Sequence, residues 1–178
     1  MNKLSKTELK YTKSKPIDQL TTLEAIKVMI DEQMLGIKIL RQNKKNLELI
    51  INSSYEHLSR FKKGRIIYCG AGTSARIGVQ DGVELLPTFG WPSSRVAFII
   101  AGGRKALTKS VENSEDDINT AFQYVKDLKV SSQDVVICLS ASGDTPFTCK
   151  VLKEAFNLNA KTIAISNNKS GKILEKAH

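Results

Sequence analysis

The apolar positions of this chain change period once, at Gly64. Before it they recur at helical spacing. Leu23, Ile26, Ile30, Met34 and Ile37 form one stripe, and Leu47, Ile51, Tyr55, Leu58 and Phe61 form a second. Thr21-Thr22-Leu23-Glu24 has the capping-box form that opens a helix. Lys62-Lys63-Gly64 closes the second helix, with cations in its last turn and Gly beyond it. The two stripes suit either a tertiary core or a subunit interface. His57 falls on the surface of the second helix.

After Gly64 short apolar runs alternate with helical stretches. Arg65–Cys69, Val96–Ile100, Asp134–Leu139 and Lys161–Ile165 are near-continuous apolar runs, the pattern of strands buried on both faces. The intervening lengths suit crossover helices, which predicts a doubly wound parallel α/β sheet. Residues 1–18 read as a flexible basic tail, 19–64 as a helical segment and 65–178 as the α/β domain. The last helical stretch starts near Ser170 and stops at His178.

Ligands in such sheets sit beyond the carboxyl ends of the strands, at the switch point. The first strand runs into Gly70-Ala71-Gly72-Thr73-Ser74-Ala75-Arg76, and the third into Ser140-Ala141-Ser142-Gly143-Asp144-Thr145-Pro146. In a flavodoxin-like order, 2-1-3-4, both loops face one crevice. Their hydroxyls, amides and helix N-termini suit a phosphate. Ordinary turn chemistry explains either loop alone, and Thr145-Pro146 is also a plain N-cap with Pro at N1. Gly70-x-Gly72-x-x-Ala75 matches a relaxed dinucleotide fingerprint. That fingerprint needs an acidic residue where the second strand ends, and here the strand ends Ala101-Gly102-Gly103-Arg104. No Walker A sequence is present.

Two carboxylates are candidates for acid–base work. Glu84 lies about three helical turns past the first loop, where it also suits a helix surface. Glu115 follows the second strand, where Ser114 as N-cap would make Glu115, Asp116 and Asp117 first-turn acids.

Composition narrows the field. The 178 residues carry 27 Lys plus Arg against 18 Asp plus Glu, a net +9 that invites a nucleic-acid reading. Residues 1–65 hold 14 of the basic and only 7 of the acidic side chains. The excess therefore belongs to the tail and helices, without interleaved aromatics or a DNA-binding motif, so no nucleic acid is expected. The three cysteines, Cys69, Cys138 and Cys149, form no CxxC pair, which argues against a disulfide framework or zinc site and fits a reducing cytoplasm. Cys69 and Cys138 sit in apolar runs as core residues. No run reaches the ~18 apolar residues of a membrane span, and the basic N-terminus lacks the apolar region of a secretory signal.

The segments Ile66–Ser74, Pro87-Thr88-Phe89-Gly90, Ile99–Gly103 and Glu115-Asp116-Asp117, with Ile17–Glu24 upstream, resemble the N-acetylmuramic acid 6-phosphate etherase family. That family belongs to the sugar isomerase (SIS) phosphosugar-binding superfamily. The resemblance implies a lyase that needs no metal or other cofactor and releases D-lactate and N-acetylglucosamine 6-phosphate in cell-wall sugar recycling. It implies Glu84 and Glu115 as the catalytic acid and base, in unassigned order. It implies Gly72, Thr73, Ser74, Ser140, Ser142, Gly143 and Thr145 as the sugar-phosphate site, and a homodimer with the site near the subunit interface. The chain departs from the family at Ala75, usually Gly, at the neighbours of Glu84, and at Asp144, usually Arg. It also lacks the family's further strand and C-terminal helices, so the domain is expected to be partial, its sheet incomplete and His178 a cut point. A non-catalytic phosphosugar-binding module and a poorly folding remnant are the alternatives.

Overall fold

The computed structural model describes residues 15–177, so most of the expected basic tail and His178 lie outside it. Four parallel strands form one sheet: β1 Ile66–Gly70, β2 Val96–Ile100, β3 Val135–Ser140 and β4 Lys161–Ser166. Their order is β2-β1-β3-β4, the flavodoxin-like order read from the sequence. Helices α3 Gly72–Phe89, α4 Ile118–Asp127 and α5 Pro146–Asn157 make the crossovers. Among the described residues two α-helices precede the sheet, α1 Thr22–Gln42 and α2 Lys44–Arg60. No described helix is long and apolar enough to cross a membrane.

The alternation of strand side chains builds two cores. On one face Ile67, Cys69, Ile99, Val136 and Cys138 meet Ala121 and Val125 of α4 and Phe147, Val151, Leu152 and Ala155 of α5. On the other, Val135, Ile137 and Ile163 pack with Leu58 and Ile50 of α2, while Ala75 and Val79 of α3 join Phe98 and Ile100. Cys69 and Cys138 are buried, as expected, and stand opposite each other in register on β1 and β3.

Two ionic devices tie the lower edge of the sheet. Asp134 accepts from the backbone N–H and guanidinium of Arg65 and from Ser131 N, bracing the starts of β1 and β3. Arg95 stacks over Trp91 and donates to the carbonyls of Leu58, Phe61 and Gly64. A cation therefore satisfies the Leu58 carbonyl in the last turn of α2 and braces the turn that follows it.

The N-terminal helices confirm some expectations and correct others. The Thr21 capping box forms, with Thr21 N donating to Glu24 Oε2 at 2.8 Å. α1 buries no residue, so its stripe is not tertiary core in this chain. In α2 the inward face is Ile50, Ser54, His57 and Leu58, while Leu47, Ile51 and Tyr55 are exposed. His57 is thus half-buried rather than on the surface. Its ring packs 4.9 Å from Phe61, and its Nε2 has no hydrogen-bond partner among the described residues. Helix α4 starts later than expected. Its N-cap is Asp117, whose carboxylate accepts from Thr120 N at 2.9 Å and Thr120 Oγ1 at 2.6 Å. Ser114 instead donates to Val111 O within a turn that Asn113 enters at positive φ. The stretch after Ser170 forms only a 3-10 turn, Lys172–Lys176.

Candidate functional site

The carboxyl end of β1 lies between β2 and β3, with Gly70 opposite Ile100 and Leu139. The chain leaves β1 through Ala71 alone before α3 begins at Gly72. Gly72 makes that turn at φ +53°, a left-handed conformation glycine adopts without steric cost. Ala71, the N-cap, offers no capping side chain, so the first amides of α3 keep their donors free of one. Thr73 and Ser74 sit in this first turn, beside those amides.

The second loop is a closed knot of hydroxyls. Ser140 Oγ lies 2.9 Å from Thr145 Oγ1 and 3.4 Å from Ser142 Oγ. It accepts from Gly143 N at 3.0 Å, and Ser142 Oγ accepts from Asp144 N at 3.2 Å. Gly143 takes φ +76°. Thr145 is the N-cap of α5 with Pro146 at N1, as expected, yet its hydroxyl makes no capping bond and serves the knot instead. Hydroxyls able to rotate, beside amides and a helix N-terminus, can turn toward an entering anion. Asp144 does not point its bonded oxygen into this knot. Its Oδ1 accepts from Lys172 N at 3.1 Å, tying the loop to the segment after β4.

Glu115 is brought to the same place. Its carbonyl accepts from Phe147 N at 2.8 Å, seating it against the first turn of α5. It also lines, with Gly72 and Ala71, a polar crevice of about 400 Å³. Two cations of that crevice were not singled out in the sequence. Arg76 is four residues past Gly72, hence on the same face of α3. Its Nε donates to Ala106 O at 3.1 Å and its Nη2 to the carbonyl of Lys109, which also lines the crevice. The spacing of Arg76 from Gly72 was the available signal for it.

Glu84 is not brought there within one chain. It stands on the exposed side of α3, twelve residues past Gly72, roughly 18 Å along the helix at about 1.5 Å per residue. A larger apolar groove of about 740 Å³ runs along the free side of β2 and contains none of the candidate residues.

The thiols nearby are held protonated. Burial above all, with Asp144 and Cys138 adding to it, pushes Cys149 up to about 11. Burial likewise raises Cys69, beside Cys138. Neither is poised as a nucleophile at neutral pH.

Comparison with known proteins agrees with this architecture. Residues 46–156 match the family described as the glucokinase regulatory protein N-terminal SIS domain. The chain is 39% identical over 171 residues to the N-acetylmuramic acid 6-phosphate etherase of Lactococcus lactis, covering 96% of this chain and 57% of that protein. It is 41% identical over 169 residues to the etherase of Lactobacillus acidophilus, covering 94% and 55%. It is 38% identical over 172 residues to that of Francisella tularensis, covering 96% and 58%. The chain thus spans little more than half the length of these curated relatives. Among solved structures, a phosphoheptose isomerase from Francisella tularensis shares the fold, with a TM-score of 0.67 at 22% identity over 89% of this chain and 82% of that one. One from Neisseria gonorrhoeae gives 0.53 at 17% identity, over 84% and 81%. With well over half of its residues matched, the chain belongs to the family of the glucokinase regulatory protein N-terminal SIS domain, and it resembles the N-acetylmuramic acid 6-phosphate etherases.

Proposed function

We propose that this chain is the phosphosugar-binding part of a carbon–oxygen lyase acting on N-acetylmuramic acid 6-phosphate. In this reading it cleaves the D-lactyl ether to give N-acetylglucosamine 6-phosphate and D-lactate, in cytoplasmic recycling of cell-wall sugar. The observation that carries it is the seating of Glu115 between the Ala71-Gly72 turn and the first turn of α5, the helix that the hydroxyl knot leads into, in a chain about 40% identical to proteins of that name. The loops Gly72-Thr73-Ser74 and Ser140-x-Ser142-Gly143-x-Thr145 hold the 6-phosphate. A carboxylate takes the proton at sugar C2, and the C2–H electron pair becomes the C2–C3 double bond. The C3–O bond breaks, and a carboxylic acid protonates the departing lactate oxygen. Water then adds across the double bond. Glu84 and Glu115 are the acid and base of this reading.

The reading includes a homodimer, because α1 leaves Leu23, Met29, Ile30, Met34 and Leu40 more than half exposed. It assigns Glu84 to the crevice of the second copy. Incubation with N-acetylmuramic acid 6-phosphate should release D-lactate, and Glu115→Gln should abolish release. Co-refolding Glu84→Gln with Glu115→Gln chains should restore about a quarter of the rate, since half the dimers are mixed and each has one intact site. No recovery on mixing overturns the shared site. A wild-type chain that neither releases lactate nor binds a sugar phosphate overturns the whole reading.

The distance of Glu84 from the loops favours one alternative, a non-catalytic phosphosugar-binding module. Binding of sugar phosphates by calorimetry without any lactate release would select it.

A further inference from the structure

The hydroxyl knot after β3 does not support itself. Three consecutive carbonyls of that loop are held by the segment that follows β4. Asn167 N donates to Ala141 O at 3.2 Å, Asn168 Nδ2 to Ser142 O at 3.1 Å and Ile173 N to Gly143 O at 2.9 Å. A planar trans peptide points its N–H opposite to its C=O. Pinning the carbonyls of 141, 142 and 143 on one side therefore turns the amides of 142, 143 and 144 to the other. That other side is where the hydroxyls lie, since Gly143 N reaches Ser140 Oγ and Asp144 N reaches Ser142 Oγ.

Asn168 is the side chain at the centre of this clasp. It is 1% exposed although polar, in a loop whose neighbours Asn167, Lys169 and Ser170 are exposed. Its Oδ1 accepts from Ser170 N and Ser170 Oγ, which fixes the amide plane so that Nδ2 faces Ser142 O. Ser166 Oγ accepts from Asn168 N at 3.0 Å and so braces its backbone. The segment also lies unusually close to the loop. A Cβ added to Gly171 would stand 2.6 Å from Gly143 Cα, although the backbone of Gly171, at φ −66°, suits any residue. Every one of these groups lies behind the loop. None is one of the hydroxyls assigned to the phosphate.

We propose that Asn168 is a positioning residue for the phosphate site: by holding Ser142 O it turns the Gly143 amide onto Ser140 Oγ and so sets the loop's hydroxyls for the ligand, with Gly171 keeping the two segments in contact. This rests on the phosphosugar reading above. A loop aimed before the ligand arrives binds it more tightly, because no ordering cost remains at that moment.

The test uses three single variants and calorimetric titration with N-acetylglucosamine 6-phosphate, well below each melting transition. Asn168→Leu keeps the branched shape while removing the hydrogen-bonding groups and introduces no charge, and Gly171→Ala pushes on the same loop from a different residue. Val151→Ala is the control, destabilising the core of α5 without touching the loop. Asn168→Leu and Gly171→Ala should each weaken binding tenfold or more, while Val151→Ala binds within about twofold of wild type despite a lower melting temperature. Should Asn168→Leu fail to fold, Gly171→Ala decides. Folded variants at both positions that bind like wild type overturn the proposal and leave the phosphosugar reading standing. A loss as large in Val151→Ala reduces the effect to general stability and also overturns it. A wild-type chain that binds no sugar phosphate overturns the phosphosugar reading and this assignment together.

Discussion

Removing the Asp134 carboxylate perturbs one of the few buried charges in the molecule. The residue is 1% exposed and receives Arg65 N at 3.0 Å, Arg65 Nε at 3.0 Å, Arg65 Nη2 at 2.8 Å and Ser131 N at 2.9 Å. Asp134→Ala leaves those two amides and a guanidinium without their acceptor. Breaking one side of a buried pair costs about 3–5 kcal/mol. Arg65 keeps the carbonyls of Leu128 and Lys129 and has 22% of its side chain exposed, which points to the lower end, about 3 kcal/mol. For a chain of this size that lowers Tm by roughly 6–12 °C. The pH dependence has a definite sign. Burial pushes the carboxyl up, but the bonds from Arg65 and Ser131 outweigh it and hold the pKa below the ordinary 3.8. A depressed folded-state pKa means that the stabilisation is complete above about pH 4 and is lost as pH falls through the lower value. Urea unfolding of both proteins from pH 7 to pH 2.5 should show a gap of about 3 kcal/mol that narrows only below about pH 4. A gap under about 1 kcal/mol at neutral pH, or one unchanged in acid, would refute the reasoning.

Four further outcomes are expected. Gly82→Ala places a Cβ 2.6 Å from Phe98 Cε1 and 3.0 Å from Tyr68 Cε2, where Asp81 holds the tyrosine hydroxyl. Overpacking of about 1–3 kcal/mol then exceeds the ~1 kcal/mol helix gain, and thermal melts should show net destabilisation. Thr148 is fully buried, with no hydrogen-bond partner for its hydroxyl among the described residues. Thr148→Val should therefore raise Tm or leave it unchanged in calorimetric scans, because the orphaned group costs about 1–3 kcal/mol. Ser142→Ala should weaken N-acetylglucosamine 6-phosphate binding about tenfold by titration calorimetry, the loss of one hydrogen bond to a charged ligand. Ile30→Glu combined with Met34→Glu should convert the proposed dimer to a monomer in sedimentation and remove the concentration dependence of Tm.

Much of the fold was legible because strands buried on both faces have to read as continuous apolar runs. Each of the four lies within one residue of its expected limits. The strand order is the flavodoxin-like one supposed for a doubly wound sheet, and the Gly and Ser punctuation after β1 and β3 marked both loops. The inward face of α2 was not legible. Leu47, Ile51 and Tyr55 are as apolar as a core stripe, yet the face that meets the sheet is shared with Ser54 and His57. Periodicity reports that a face is apolar and not what covers it. The start of α4 was missed because Ser114, Asp116 and Asp117 are all competent caps, and only the pairing with Thr120 selects one. At the site, Glu115 lines a crevice with Ala71 and Gly72, and its carbonyl is tied to the first turn of α5. The places of Asn168 and Lys109 were invisible because they are set by contacts between segments far apart in sequence.

Two features of the isolated chain share one explanation. α1 has Ala25 and Val28 as its only partly covered residues, and large apolar side chains stand exposed on it. Such a helix gains little from its own propensity, since tertiary packing of an apolar face supplies most helical stability. A face this apolar calls for a covering surface. Glu84 poses the complementary problem. It lies on α3 among Val83, Leu86 and Phe89, each about half or more exposed, and far along that helix from the phosphate loops. An acid with no substrate in reach, surrounded by exposed apolar side chains, is what one half of an isologous interface looks like. In the proposed dimer the apolar faces of α1 and of α3 are both covered by the second copy, and two-fold symmetry delivers each Glu84 to the other subunit's crevice. Stability and catalysis would then depend on one association. Charges placed at Ile30 and Met34 should therefore abolish lactate release although they lie on a helix that touches neither loop.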